Sequence, residues 1–223
     1  MYCVIAGDVI QSRKLTPALR AQAARQIEAL WVRLNADYAA QLLAGFGAVR
    51  GDAFEGVLHS PQAAVQIVRE IVEAFDEMER ATPGLRLRAR ICCAVGALSV
   101  VSRERNETDG PAFHAAEQKM NEMKAQKSTH WLQVAFAADT PTQPLLDGIS
   151  ALLSALTARW TRRQREAVCW MQRLNNQKEV SAAMGITPTA VSAHLKAADF
   201  RAYRRAWASL EEYFAKGGGE NAD

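Results

Sequence analysis

No apolar run in the 223-residue sequence approaches the roughly 20 residues a transmembrane helix needs. The N-terminus has no basic lead followed by an apolar core and a small-residue cleavage site, and it carries Asp8 early. A signal peptide is therefore not expected, and the expected compartment is the cytoplasm, with no membrane partner. Cys-x-x-Cys pairs and Cys/His spacings suited to zinc are missing as well. The four cysteines, Cys3, Cys92, Cys93 and Cys169, are expected as buried, reduced thiols acting as small apolar residues. What remains is the composition of an ordinary globular chain, 49% hydrophobic and 23% charged, long enough for one or two domains.

Acidic residues are scarce in one region. Between Arg159 and Leu210 three Asp/Glu face ten Lys/Arg, a local charge of +7 in a chain whose net charge is +3. The rest must carry about −4. An imbalance of this kind points to an anionic partner for the C-terminal part.

Two stretches organise the N-terminal part. Met1–Asp8 and Phe46–Phe54 each contain an apolar run ending in a Gly-Asp step, Gly7-Asp8 and Gly51-Asp52. On neighbouring strands the two carboxylates meet at one sheet edge, where they repel unless a cation or proton lies between them. Hard cations such as Mg²⁺ or Mn²⁺ take such oxygen ligands, usually together with nucleotide phosphates. Against this stands a plainer reading, in which both aspartates cap turns.

Periodicity predicts a strand over residues 2–9 and a helix over 18–43, capped by Thr16 and begun by Pro17. Short strands at 46–49 and 54–59 flank the Gly51-Asp52 turn. A helix runs from Ser60-Pro61 to about Arg80. A strand follows over 85–101, with Arg86, Arg88 and Arg90 on one face, then a helix over 111–127 and a strand over 131–136. The order is β-α-β-β-α-β with an added helix and strand, which predicts an α+β, ferredoxin-like sandwich over residues 1–138. The two prolines and the glycine of residues 139–149 read as a linker. Residues 150–216 read as a small all-α domain, and the glycine-rich residues 217–223 as a disordered tail.

The most specific local pattern is Gln177–Leu195. Val180 and Met184 face inward, Gly185 allows a tight turn, Thr187 caps the next helix and Pro188 begins it. Val191 and Leu195 anchor that second helix, leaving Thr189, Ala190, Ser192, Ala193 and Lys196 outward. Small and polar side chains at the start of a helix suit a major groove. Upstream, Arg162 and Arg163 are positioned for phosphate contacts. The alternative is a helical hairpin packed for structure or dimerisation. Arg201, Arg204 and Arg205 follow on another helix, whose Phe200, Tyr203, Trp207, Leu210 and Tyr213 read as core or dimer interface.

The Gln177–Leu195 segment resembles the helix-turn-helix of sigma-factor region 4 and of many bacterial regulators. Residues 2–136 resemble the class III nucleotide cyclase fold, whose two metal-binding aspartates match Asp8 and Asp52, 44 residues apart. Arg90–Gly96 is similar to that family's next strand, and Asp109–Gln118 to its Gly-x-x-x-Asn-x-x-x-Arg stretch. The family's transition-state asparagine falls on His114, its arginine on Gln118 and its purine-reading lysine on Ala48. With those donors replaced, the resemblance implies a nucleotide-binding or chemically altered domain ahead of a cyclase. His114 is then a candidate acid or base, or a polar helix cap. The chain as a whole resembles the SatD family of bacteria through four ordered blocks: Gly7–Arg13, Gly51–Gly56, Asp109–His114, and a Trp160-Thr161 helix-turn-helix that reaches Ala190–Ser192. Glu117 stands where that family's pattern often has arginine.

These readings converge on a homodimeric bacterial DNA-binding regulator with a degenerate nucleotide cyclase-like sensor domain. Asp8 and Asp52 are its expected metal ligands, and Ser12, Arg13, Gly51 and His114 its expected nucleotide contacts. DNA contacts are expected from Arg162, Arg163, Thr187, Thr189, Ala190, Ser192, Ala193 and Lys196. The competing reading is a metal-dependent enzyme acting on a nucleoside triphosphate, and a third is an interaction module whose helices pack on a partner protein.

Overall fold

The computed structural model describes residues 1–10, 14–102, 107–126, 132–138 and 140–217. Strand β1 (Tyr2–Ile10) lies at the centre of a five-stranded sheet of order β2-β3-β1-β4-β5. The other strands are β2 (Leu42–Arg50), β3 (Ala53–Leu58), β4 (Arg88–Gly96) and β5 (Leu132–Ala138). β1 pairs antiparallel with β3 and β4, β2 antiparallel with β3, and β5 parallel with β4. The molecule is thus a mixed α+β protein, and β1 holds Asp8 near the end of its central strand.

Helix α1 (Pro17–Asp37) begins where the sequence predicts, with Thr16 Oγ1 accepting the Leu19 N–H at 3.3 Å. It stops six residues short of the expected Leu43. The residues after it, Tyr38-Ala-Ala-Gln-Leu-Leu, favour helix locally, but Asn35 pins the returning chain. Its amide donates to the Phe46 carbonyl at 2.9 Å and accepts the Phe46 N–H at 2.6 Å. Residues 42–45 then serve β2, a case of tertiary pairing overriding propensity. α2 (Ala64–Ala81) follows a short 3₁₀ turn over Pro61–Ala63, and α3 (Pro111–Ala125) follows Gly110. β4 is shorter than the predicted 85–101, although Leu85 and Leu87 remain buried ahead of it.

Alternate residues of the central strands face opposite layers. Cys3, Ile5 and Val9, with Phe54, Ile91 and Phe136, face a large core under α1 and α2. Val4, Cys92, Ala94 and Ala135 face a smaller one under α3. All four cysteines are buried and free, and burial pushes the Cys92 and Cys169 thiols well up.

The linker expected over 139–149 is not an extended connection from Gln143 onward, because α4 (Gln143–Ala158) occupies it. A proline in the first helical turn loses no hydrogen bond, so Pro144 opens this helix where the sequence suggested a break. α4 packs along β5. Helices α5 (Arg162–Leu174), α6 (Gln177–Met184), α7 (Pro188–Ala197) and α8 (Phe200–Ala215) complete the chain. α8 is built into the large core: Trp207 and Phe214 lie 6.1 Å and 5.4 Å, ring centre to ring centre, from Phe136 of β5. Of the expected tail, Gly217 forms part of a turn, and residues 218–223 lie outside the described residues.

Candidate functional site

The two Gly-Asp steps do come together in the backbone. Asp8 is the register partner of Ala53, and the Val9 N–H donates to the Asp52 carbonyl at 3.1 Å. Gly51 takes a φ of +61° at the hairpin tip, which glycine adopts without strain. Gly7 is needed for a different reason: a Cβ there would lie 2.3 Å from the Phe54 ring, which crosses β1 to pack against Trp31.

The side chains meet different neighbours. Asp8 faces α3, where its carboxylate accepts a hydrogen bond from Arg90 Nε at 2.8 Å and sits 3.7 Å from Lys124 Nζ. Asp52 lines a small, mostly apolar cavity of about 180 Å³ on the α1 side, with Val9, Trp31 and Phe54. The cation that neighbouring carboxylates call for is therefore supplied to Asp8 by the chain itself. Among the described residues no group of three His, Cys, Asp or Glu is placed to hold a metal ion. The arrangement does not fit a two-carboxylate Mg²⁺ or Mn²⁺ centre, since a metal would have to displace Arg90 and compete with Lys124. The Arg86, Arg88, Arg90 alternation was the sequence signal for this partner, but only the β1–β4 register, Asp8 opposite Arg90, reveals the pairing.

His114 does not join Asp8. α3 begins beside Gly96, the register partner of Tyr2, and ends near Asp8. Ten residues of helix, roughly 15 Å of rise, separate His114 from Lys124. His114 is exposed and lies 3.6 Å from Asp109. The expected nucleotide contacts Ser12 and Arg13 lie outside the described residues. Gly51 is at the Asp52 hairpin, and so is not beside His114.

In the C-terminal helices the local geometry follows the sequence pattern. Thr161 and Gln164 form a capping box at the start of α5. α6 ends at Gly185, φ +63°, and Thr187 Oγ1 accepts the Ala190 N–H at 3.2 Å to cap α7. Val180, Met184, Val191 and Leu195 are buried. Thr187, Thr189, Ser192, Ala193 and Lys196 are exposed, while Ala190 is half-buried. Arg162 and Arg163 are exposed at the N-terminus of α5, and Arg163 pairs with Glu166 at 3.0 Å.

Part of the positive charge is spent inside the chain. Arg165 contacts Glu79 at 3.1 Å and lies 3.7 Å from Asp76, and Arg173 contacts Glu77 at 2.8 Å. Both acceptors of Arg165 are buried on α2. The hydrogen bond from Arg173 holds the Glu77 carboxyl below its usual range. The charge imbalance is thus partly the complementarity of α5 for α2. Lys178, Lys196, Arg201, Arg204 and Arg205 remain on the exposed surface of α6–α8.

Comparison with known proteins gives three results. A structure of a bacterial light-regulated adenylyl cyclase matches with a TM-score of 0.39 and 12% identity, covering 60% of this chain and 74% of that one. No curated protein matches the chain. The model of the SatD family matches residues 2–213.

Proposed function

The chain belongs to the SatD family, and we propose that it is a DNA-binding regulatory protein whose helices α6 and α7 form a helix-turn-helix. The observation that carries this reading is the exposed face of α7. Thr189, Ser192, Ala193 and Lys196 point away from a helix whose opposite side is anchored by Val191 and Leu195. This face has no large side chain to keep base edges away, and its hydroxyls and ammonium are groups that reach bases and phosphates. Arg201 lines a surface cleft with Ser192 and Lys196, and Arg162 and Lys178 are exposed on the helices α5 and α6 that pack against α7. A protein that reads DNA in this way commonly does so as a dimer, with half-sites one helical turn apart.

In this reading the sheet part is a ligand-sensing domain. The proposal reads this part as a ferredoxin-like sandwich, the frame of the cyclase resemblance, and the strand order β2-β3-β1-β4 supports that reading. Nucleotide is the proposed ligand class. Because Arg90 already occupies Asp8, the proposal routes no chemical step through a divalent ion, and the metal-dependent enzyme is not favoured.

The test is fluorescence anisotropy with a labelled mixed-sequence duplex at low salt. The full chain is expected to bind with an affinity that falls steeply as salt rises. Lys196→Glu is expected to weaken binding by about tenfold or more through a reversed charge at the phosphate surface. Absence of binding at low salt, or a Lys196→Glu variant that binds like the wild type, contradicts the reading.

A further inference from the structure

A polar pocket of about 440 Å³ opens between α3, α4 and the outer strand β5, and no residue of helix α7 lines it. Gln133 of β5 lines it. The residue is only 4% exposed, and its side-chain amide has no hydrogen-bond partner among the described residues. An amide brings two N–H donors and a carbonyl acceptor. Gln133 is therefore a donor–acceptor pair held ready on a rigid strand.

The charges around it are arranged and spent. Lys119 Nζ lies 2.8 Å from both Asp147 of α4 and Glu122 of α3, tying the two helices together across the pocket. Among the described residues these three are the ionisable groups of the lining, and together they carry a net charge of −1. That sign disfavours a phosphate. Met123 and Val134 add apolar surface of the kind that packs against a flat ring, the sulfur being a favourable aromatic neighbour. The volume falls in the range of small-molecule sites.

We propose that this pocket binds an uncharged nucleobase or nucleoside, with the Gln133 amide bonding the donor–acceptor edge of the base. Such paired edges are what a glutamine amide matches in a single plane. The site is distinct from the proposed DNA-reading face and does not depend on it.

The experiment is calorimetric titration of the full chain with the common nucleobases, their nucleosides and the matching 5′-monophosphates. At least one uncharged compound is expected to bind in the submillimolar range, and its monophosphate at least about tenfold more weakly, because Glu122 and Asp147 repel it. Gln133→Leu keeps the side-chain volume while removing the amide. It is expected to melt at or above the wild-type temperature and to bind at least about tenfold more weakly. If that variant does not fold, Ser154→Trp at the pocket wall serves as the second variant, expected to block binding by bulk. The proposal is overturned if no uncharged compound binds, if the monophosphate binds equally well, or if a folded pocket variant leaves the affinity unchanged.

Discussion

Arg90 and Asp8 form a mostly buried pair, their side chains 18% and 13% exposed, and this pair sets what the strand end can do. Removing one member of such a pair leaves an uncompensated charge, which typically costs several kcal/mol. Arg90→Met is expected to lower stability by about 3 kcal/mol in urea denaturation. It is also expected to make the protein gain melting temperature with millimolar Mn²⁺, because Asp8 loses its hydrogen-bonded cation, whereas the wild type shows no such gain. A second buried carboxylate behaves differently. Burial raises the Glu73 carboxyl above its usual value, with Arg69 and Arg173 opposing the shift. The folded state therefore binds this proton more readily than the unfolded chain, and the ionised group costs stability at neutral pH. That cost is fully present above the folded pKa and fades as pH falls to the ordinary carboxylate range of the unfolded chain. Glu73→Gln is accordingly expected to stabilise the protein at pH 7 in denaturant titrations, with the gain vanishing in acid. At this scale the sequence shows which residues carry charge but not which charges meet. Arg90 and Asp8 are 82 residues apart, and only their register makes them neighbours.

At the scale of elements, strands and helices with complete local signals are the ones legible in the sequence. The α6–turn–α7 unit is an example: Gly185, Thr187 and Pro188 each do locally what their chemistry allows. No heavy atom lies within 4 Å of a Cβ built on Gly185, so a substitution there costs backbone strain alone. Gly185→Ala is expected to destabilise by about 1–2 kcal/mol, and Gly185→Asn by less, as read from thermal unfolding. Elements decided by distant contacts were not legible. The end of α1 is set by Asn35 gripping Phe46, and α4 forms where two prolines and a glycine suggested a linker. In both places short-range propensity lost to packing against the sheet. The sequence of element types along the chain was legible as well, because each strand and helix carries its own period, whereas the order of strands in the sheet comes from the pairing itself.

At the scale of the molecule, the positive C-terminal helices and the acidic face of α2 fit each other, and the core under α1 and α2 continues through α8. Two separate units would not share Phe136, Trp207 and Phe214 in one apolar cluster. The proposed DNA-reading face is therefore carried on the same body as the sheet, so under that proposal a ligand held by the sheet part acts on α7 through the packing of α2 and α8. Charge counting alone overstated the charge left for an anionic partner, since Arg165 and Arg173 are paired with carboxylates of α2. The cations that remain exposed, Lys178, Lys196, Arg201, Arg204 and Arg205, are those the proposed DNA-reading surface draws on. The direct test is in vitro selection of binding sites from random duplex DNA with the full-length chain, sequenced after several rounds. The account predicts an enriched motif with two related half-sites one helical turn apart, lost when Ser192→Glu places a charged side chain on the exposed face of α7. Enrichment of no motif, or of the same motif by the Ser192→Glu variant, would contradict it.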